Sequence, residues 1–207
     1  MYKHCYITTL HYLCVMIRCM ARPVSHDETL RDHLLEVTAE MVDHRGQQHI
    51  SLRDIAKTAR TSTSAIYTLF GGKAQLLVAV IEHGFSSFGA SQAATETEGL
   101  RALGHAYRDW AKANPALYRL MFGGAITVAD DCAPDAATTK TAMGPLIRAL
   151  ATRVPDDQVM DAAMTVWAQV HGSVSLELAR VAPEVSDWDA IYSAVLDAVE
   201  RSFPRRT

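Results

Sequence analysis

From Asp27 onward, apolar residues return at every third or fourth position, and no stretch alternates apolar with polar residues as a half-buried strand must. That periodicity confines the 207-residue chain to an all-α fold. Leu30, Leu34, Val37 and Met41 set the stripe of a first helix, which Leu35 and Val42 widen. Asp27 is placed to cap its start, and Gly46, directly after Arg45, to end it in a left-handed turn. Ser51 opens a compact helix of about nine residues with Leu52, Ile55, Ala56 and Ala59 on one face, and Asp54 three residues later makes a short-armed capping box. Arg60, Thr61 and Ser62 interrupt it. Ser62 or Thr63 then caps a second short helix that turns Ala65, Ile66, Leu69 and Phe70 inward, and Gly71-Gly72 stops it.

Two short helices with one apolar face each cannot bury themselves alone. Packed on the first helix they make a three-helix core of helix-turn-helix type. The outward face of the second short helix is then informative, because it offers Thr63, Ser64, Tyr67 and Thr68 and no carboxylate. A helix that enters the major groove needs such a face, with short polar groups that let the backbone approach base edges.

The charge distribution agrees. A net charge of −3 excludes a polybasic protein that coats nucleic acid by bulk attraction. Between Arg53 and Lys73, however, Arg53, Lys57, Arg60 and Lys73 face one acid, Asp54, while the remainder to Thr207 is acidic on balance. The four cysteines make no disulfide framework for a chain of this length, which fits a reducing compartment. The cysteines and nine histidines show no zinc-site spacing, so no metal or cofactor is expected. No nucleophile-base pair, acid pair or phosphate loop appears, so no catalytic residues and no enzyme activity are expected.

Residues 1–19 differ from the rest, with three of the seven tyrosines and three of the four cysteines. They lack the basic start, unbroken apolar run and small-residue cleavage site of a signal peptide, and no run of about 20 apolar residues spans a bilayer. Met20-Ala-Arg-Pro, directly before the helical pattern, reads as the biological start, with residues 1–19 as a non-native or disordered extension.

The string Ser51-Leu-Arg-Asp-Ile-Ala-Lys-Thr-Ala59, then Thr61-Ser-Thr-Ser-Ala-Ile-Tyr-Thr-Leu-Phe70, then Gly72-Lys-Ala-Gln-Leu-Leu77, resembles the DNA-binding domain of the TetR family of transcriptional regulators. The likeness runs from Asp27 to Leu77. Three positions depart from the family pattern: Arg60 stands at a usual turn glycine, Leu69 at a common histidine, and Gly72 at a usual Ser or Asn cap. Arg60 either strains the backbone through a positive φ or adds a contact to DNA, and both readings stay open. The resemblance implies a DNA site made of Ser51, Arg60, Thr61, Ser62, Thr63, Ser64, Tyr67, Thr68 and Lys73. In it Ser51, Tyr67, Lys73 and the helix N-termini grip phosphates, while Thr61, Thr63, Ser64 and Thr68 face bases.

Beyond Lys73, Leu76, Leu77, Val80, Ile81, Gly84, Phe85 and Phe88 predict a longer helix linking head to body. Leu100, Leu103, Tyr107 and Trp110 predict the next, ended by Asn114-Pro115, and a short one runs to Phe122. Asp130 to Asp135 reads as a surface loop, Gly144-Pro145 as a kink or restart, and the segments Asp156–Val181 and Trp188–Phe203 finish the chain. Trp167-Ala-Gln-Val-His171-Gly172, with Asn114 to Phe122 upstream, is similar to the Trp-x-x-x-His-Gly class of TetR-type C-terminal domains. This implies a body that dimerises through its last two helices and encloses a small-molecule pocket. Phe85, Phe88, Tyr107, Trp110, Met121, Phe122, Met143, Trp167 and His171 are the pocket candidates, each with ordinary core packing as its rival reading. His171 either meets a ligand or locks neighbouring backbone, and Gly172 permits close helix packing.

The expected organisation is a head over residues 20–72 and a helical ligand-binding and dimerisation body over 73–207. The expected function is that of a cytoplasmic, homodimeric, sequence-specific regulator, a repressor released from double-stranded operator DNA by a small-molecule effector. The rival is an all-α small-molecule-binding protein or enzyme whose head is not a ligand-controlled switch.

Overall fold

A computed structural model describes residues 26–123, 136–181 and 187–205. The extension before Met20, that methionine itself and the acidic stretch Asp130–Asp135 lie outside the described residues. Helix α1, His26–Arg45, buries Leu34, Leu35, Met41 and Val42. Asp27 falls inside its first turn beside Glu28, so it acts on the helix dipole rather than as the cap expected of it. Gly46 ends the helix, its N–H donating to the Val42 carbonyl, but at φ +78° and ψ +148° it is extended in ψ rather than in the left-handed turn expected of it.

Helix α2 is Leu52–Thr58, shorter than its sequence pattern suggests. It opens on a complete capping box, in which the Asp54 N–H donates to Ser51 Oγ at 3.2 Å and the Ser51 N–H to Asp54 Oδ2 at 3.0 Å. The Ser51 hydroxyl and then its N–H, both donating to the Asp54 carboxylate, hold that carboxyl below its usual range. The helix closes on a Schellman turn, with Thr61 N–H reaching the Ala56 carbonyl at 2.9 Å across Arg60, whose φ is +53°. A side chain in this left-handed position costs about 1 kcal/mol. Arg60→Gly is therefore expected to raise the melting temperature by about 2 to 3 °C. Measured beside it, operator affinity separates the two readings of Arg60: an unchanged value leaves strain alone, and a loss assigns the guanidinium to DNA.

Helix α3, Thr63–Phe70, starts on Ser62, whose hydroxyl accepts from the Ala65 N–H, and stops at left-handed Gly71. Ile66 and Phe70 point into the head, and the Arg31 guanidinium of α1 lies over the Phe70 ring. Helix α4, Lys73–Thr95, leaves the head and becomes the central post of the body. Around it pack α5, Leu100–Ala113; α6, Pro115–Phe122; and α7, Ala136–Ala151. Helix α7 continues through Gly144-Pro145 instead of restarting there. Helices α8, Val159–Leu178, and α9, Trp188–Ser202, close the body and pack on each other and on α5. One hydrophobic core runs from Leu34 to Val199 through both regions, and no strand occurs among the described residues.

Two contacts shape the body. A Cβ on Gly84 of α4 would come within 2.6 Å of the Met121 sulfur, so Met121 takes its present place against α4 because that position is glycine. Arg108 of α5 lies buried between α8 and α9. It makes a two-pronged ion pair with Glu177, Nε to Oε2 at 2.7 Å and Nη2 to Oε1 at 2.8 Å, and its third nitrogen meets Asp189 at 2.7 Å. Lys112 adds a second cation 3.2 Å from Glu177.

Candidate DNA interface and ligand cavity

The capped start of α3 decides which of its side chains face outward. Ser64, Tyr67 and Thr68 are exposed, Tyr67 at 57%, and Thr63 is half-buried beside them. Ser62 and Arg60 are exposed at the preceding turn, with Thr61 half-buried between them. The exposed hydroxyls are not all equally available. Ser62 caps α3, Thr68 Oγ1 donates to the Ser64 carbonyl at 3.0 Å, and Ser51 Oγ donates to Asp54 at 2.5 Å. No acidic side chain lies on α3.

Lys73 differs most from its expected placement. Its ammonium, expected to grip phosphate, donates to the carbonyls of Gln47 and Ile50 at 2.6 Å each, half-buried under the loop between α1 and α2. The first residue of the lever helix thus clasps the segment that presents Ser51. Periodicity carries no sign of this tie, because the partners lie 23 and 26 positions away.

In the body, Phe85, Phe88, Tyr107, Phe122, Met143 and Trp167 converge on one cavity of about 190 Å³. Gln92, Ala142 and Leu146 complete its wall and were not among the sequence candidates. The rings meet mostly edge to face: Phe85 on Phe122 at 5.8 Å, and Phe88 on Tyr107 at 5.2 Å. Three candidates lie elsewhere. Trp110 is buried behind Phe88, its indole N–H donating to Ser87 Oγ at 3.0 Å. Met121 is taken up by the contact with Gly84.

His171, the third, sits in a neighbouring cleft of about 170 Å³ with Tyr118 and Ser175. Its Nδ1 lies 2.8 Å from the Tyr107 hydroxyl and 2.9 Å from that of Tyr118. Burial pushes the imidazole down and both phenols up, so a neutral ring is bonded through Nδ1 to the tyrosine hydroxyls. His171 therefore locks side chains of α5 and α6 rather than backbone. Gly172, expected to permit close packing, faces open space in the protomer.

Comparison with known proteins bears on both regions. Residues 34–80 match the family described as bacterial regulatory proteins, tetR family, and residues 100–199 match the tetracyclin repressor-like C-terminal domain. The chain belongs to the TetR family. It is a DNA-binding transcriptional regulator built as a helix-turn-helix head on a helical body. Among its relatives is the HTH-type transcriptional regulator Rv0681 of Mycobacterium tuberculosis, 26% identical, with 92% of this chain and 88% of that protein covered. Solved structures of similar fold include the regulatory protein SCO4313, with a TM-score of 0.73 and 24% identity over 86% of this chain and 98% of that one. Another is PfmR of Thermus thermophilus, a TetR family transcriptional regulator, with a TM-score of 0.64 and 18% identity over 84% and 99%.

Around this TetR architecture, exposed apolar residues gather on the last two helices. Met160, Met164, Ala168, Gly172 and Leu176 follow one another at four-residue steps on α8, and Ile191 stands out from α9. The apolar stripe of α9 divides: Tyr192, Leu196 and Val199 are buried within the protomer, while Ile191 at 39% exposure faces out. No single helix among the described residues is long and apolar enough to cross a membrane.

Proposed function

We propose that this regulator is a cytoplasmic homodimeric repressor that reads a palindromic operator with two copies of α3 and leaves it when a small molecule fills the cavity of the body. The observation that carries the reading is the pairing of a carboxylate-free, exposed α3 face with an aromatic cavity in the body, joined by α4. In this reading residues 20–72 form the DNA-binding domain and 73–207 the body, which acts without catalysis. Ser64, Thr68, Thr63 and Thr61 meet bases, while Ser51, Ser62, Tyr67 and Arg60 meet phosphates. The two carbonyl bonds of Lys73 favour a mainly positioning role, holding the loop beside Ser51.

The body belongs, on this reading, to the class marked by Trp-x-x-x-His-Gly. In support, the Trp167 and His171 rings pack 5.2 Å apart, and Gly172 lies within the outward stripe of α8. That stripe and Ile191 make the dimer face. A contiguous apolar strip left open on a protomer is what a two-fold partner would cover. Release needs a ligand that binds the DNA-incompetent form better, and a 100-fold coupling corresponds to about 2.7 kcal/mol.

Footprinting of the DNA upstream of the gene is expected to protect two symmetric half-sites roughly 34 to 36 Å apart or a related separation. The logarithm of affinity should fall linearly with the logarithm of salt, by about 0.9 per phosphate neutralised. Absence of a specific footprint at moderate salt would sink the operator reading.

A further inference from the structure

Five helices wall the aromatic cavity, and the chemistry of that wall restricts what can enter. None of its described lining residues carries a charge. Three carry polar groups, the Gln92 amide, the Tyr107 hydroxyl and the Trp167 indole N–H, and the last of these donates toward the Tyr107 oxygen. The Tyr107 hydroxyl is bonded to His171. The Gln92 amide, in the orientation that satisfies both ends, donates to the Leu103 carbonyl at 3.3 Å and accepts from the Tyr107 N–H at 3.1 Å. What remains toward the interior is ring and methyl carbon from Phe85, Phe88, Phe122, Leu146, Met143 and Trp167. At about 190 Å³ the space slightly exceeds the 150 Å³ or so that suffices for benzene in an apolar protein cavity.

Resting on the ligand-binding part of the reading above, we infer that the effector is an uncharged, largely hydrocarbon molecule the size of one substituted aromatic ring. A flat ring meets the edges and faces that the T-shaped pairs present, and Met143 can adjust to its substituent. A carboxylate or ammonium in the same place would be buried without a partner, which disfavours every acidic or cationic metabolite of similar shape.

The test is binding to the intact, DNA-free protein, followed by calorimetry and tryptophan emission, with toluene and ethylbenzene set against benzoate and benzylammonium. The neutral probes are expected to bind and raise the melting temperature, and the charged ones to bind at least about 100-fold more weakly. Leu146→Trp, which fills the space, is expected to lose toluene while keeping its helical circular-dichroism spectrum. Met143→Lys, which places an ammonium in the wall, is expected to bring benzoate in.

Charged probes that bind within tenfold of toluene would overturn the inference. So would toluene binding undiminished in Leu146→Trp, or no toluene binding by a protein that still binds operator. Toluene that binds without releasing DNA upholds the ligand class and removes the release mechanism instead.

Discussion

Ser64→Glu is expected to reduce operator affinity by about a thousandfold or more, the span that separates specific from non-specific binding, without lowering the melting temperature. Ser64 is exposed in the first turn of α3, two residues after the Ser62 cap, and the bond from Thr68 goes to its main-chain carbonyl, which the substitution keeps. A carboxylate there favours the helix dipole, so the fold gains slightly if it changes at all. At the groove the same carboxylate faces phosphates and base acceptors, and the approach becomes repulsive. Ser64→Ala, which removes only a hydroxyl, serves as the size control. Retention of operator binding within threefold by the glutamate variant would place α3 outside the groove.

Arg108→Ala is expected to cost about 3 kcal/mol, or roughly 6 to 12 °C in melting temperature at fixed protein concentration. The loss comes less from the attraction removed than from what stays behind. Glu177 keeps its charge at a site only 12% exposed, and Lys112, itself half exposed, is left as its cation. The Tyr192 ring also loses the guanidinium 5.0 Å above it. Because the cost is that of orphaned charge, the pair Arg108→Met with Glu177→Leu is expected to recover most of it.

The pH dependence carries the same signature. The Arg108 bond holds the Glu177 carboxyl below its ordinary 4.5, so its contribution is complete above that value and is lost as pH falls through the lower folded value. Arg108→Ala flattens that part of the acid unfolding curve. An unchanged curve together with a loss under about 1 kcal/mol would mean that α5, α8 and α9 do not depend on this ion pair.

The head was the legible part of the chain. Its caps are local: Ser51, Asp54, Ser62 and Gly71 act within four residues, so spacing alone locates the helix ends. The tie of Lys73 was not legible, because an ammonium on a four-carbon stem can fold back onto carbonyls that chain order does not bring near. In the body, large aromatics announced themselves by size, and those on the inner faces of α4, α5, α6 and α8 meet. Size does not reveal which side a ring turns to. Trp110 was drawn to Ser87 and His171 to two tyrosine hydroxyls, partners that periodicity cannot rank. Ala142 and Leu146 line the cavity through the path of α7, not through any distinguishing chemistry, and Gln92 does so as a buried amide satisfied by backbone.

Helix α6 meets α4 through two contacts of unequal stiffness. Phe122, which lines the cavity, is the neighbour of Met121 on this eight-residue helix. A thioether chain with three rotatable bonds against bare Gly84 is a compliant joint, unlike two branched residues interlocked. Phe122 itself meets Phe85 of α4 edge to face at 5.8 Å, and that ring contact has no such slack. An occupant that pushed Phe122 would therefore reach α4 through one contact that yields and one that transmits, and the balance between them would set how tight a fit is needed to move the head.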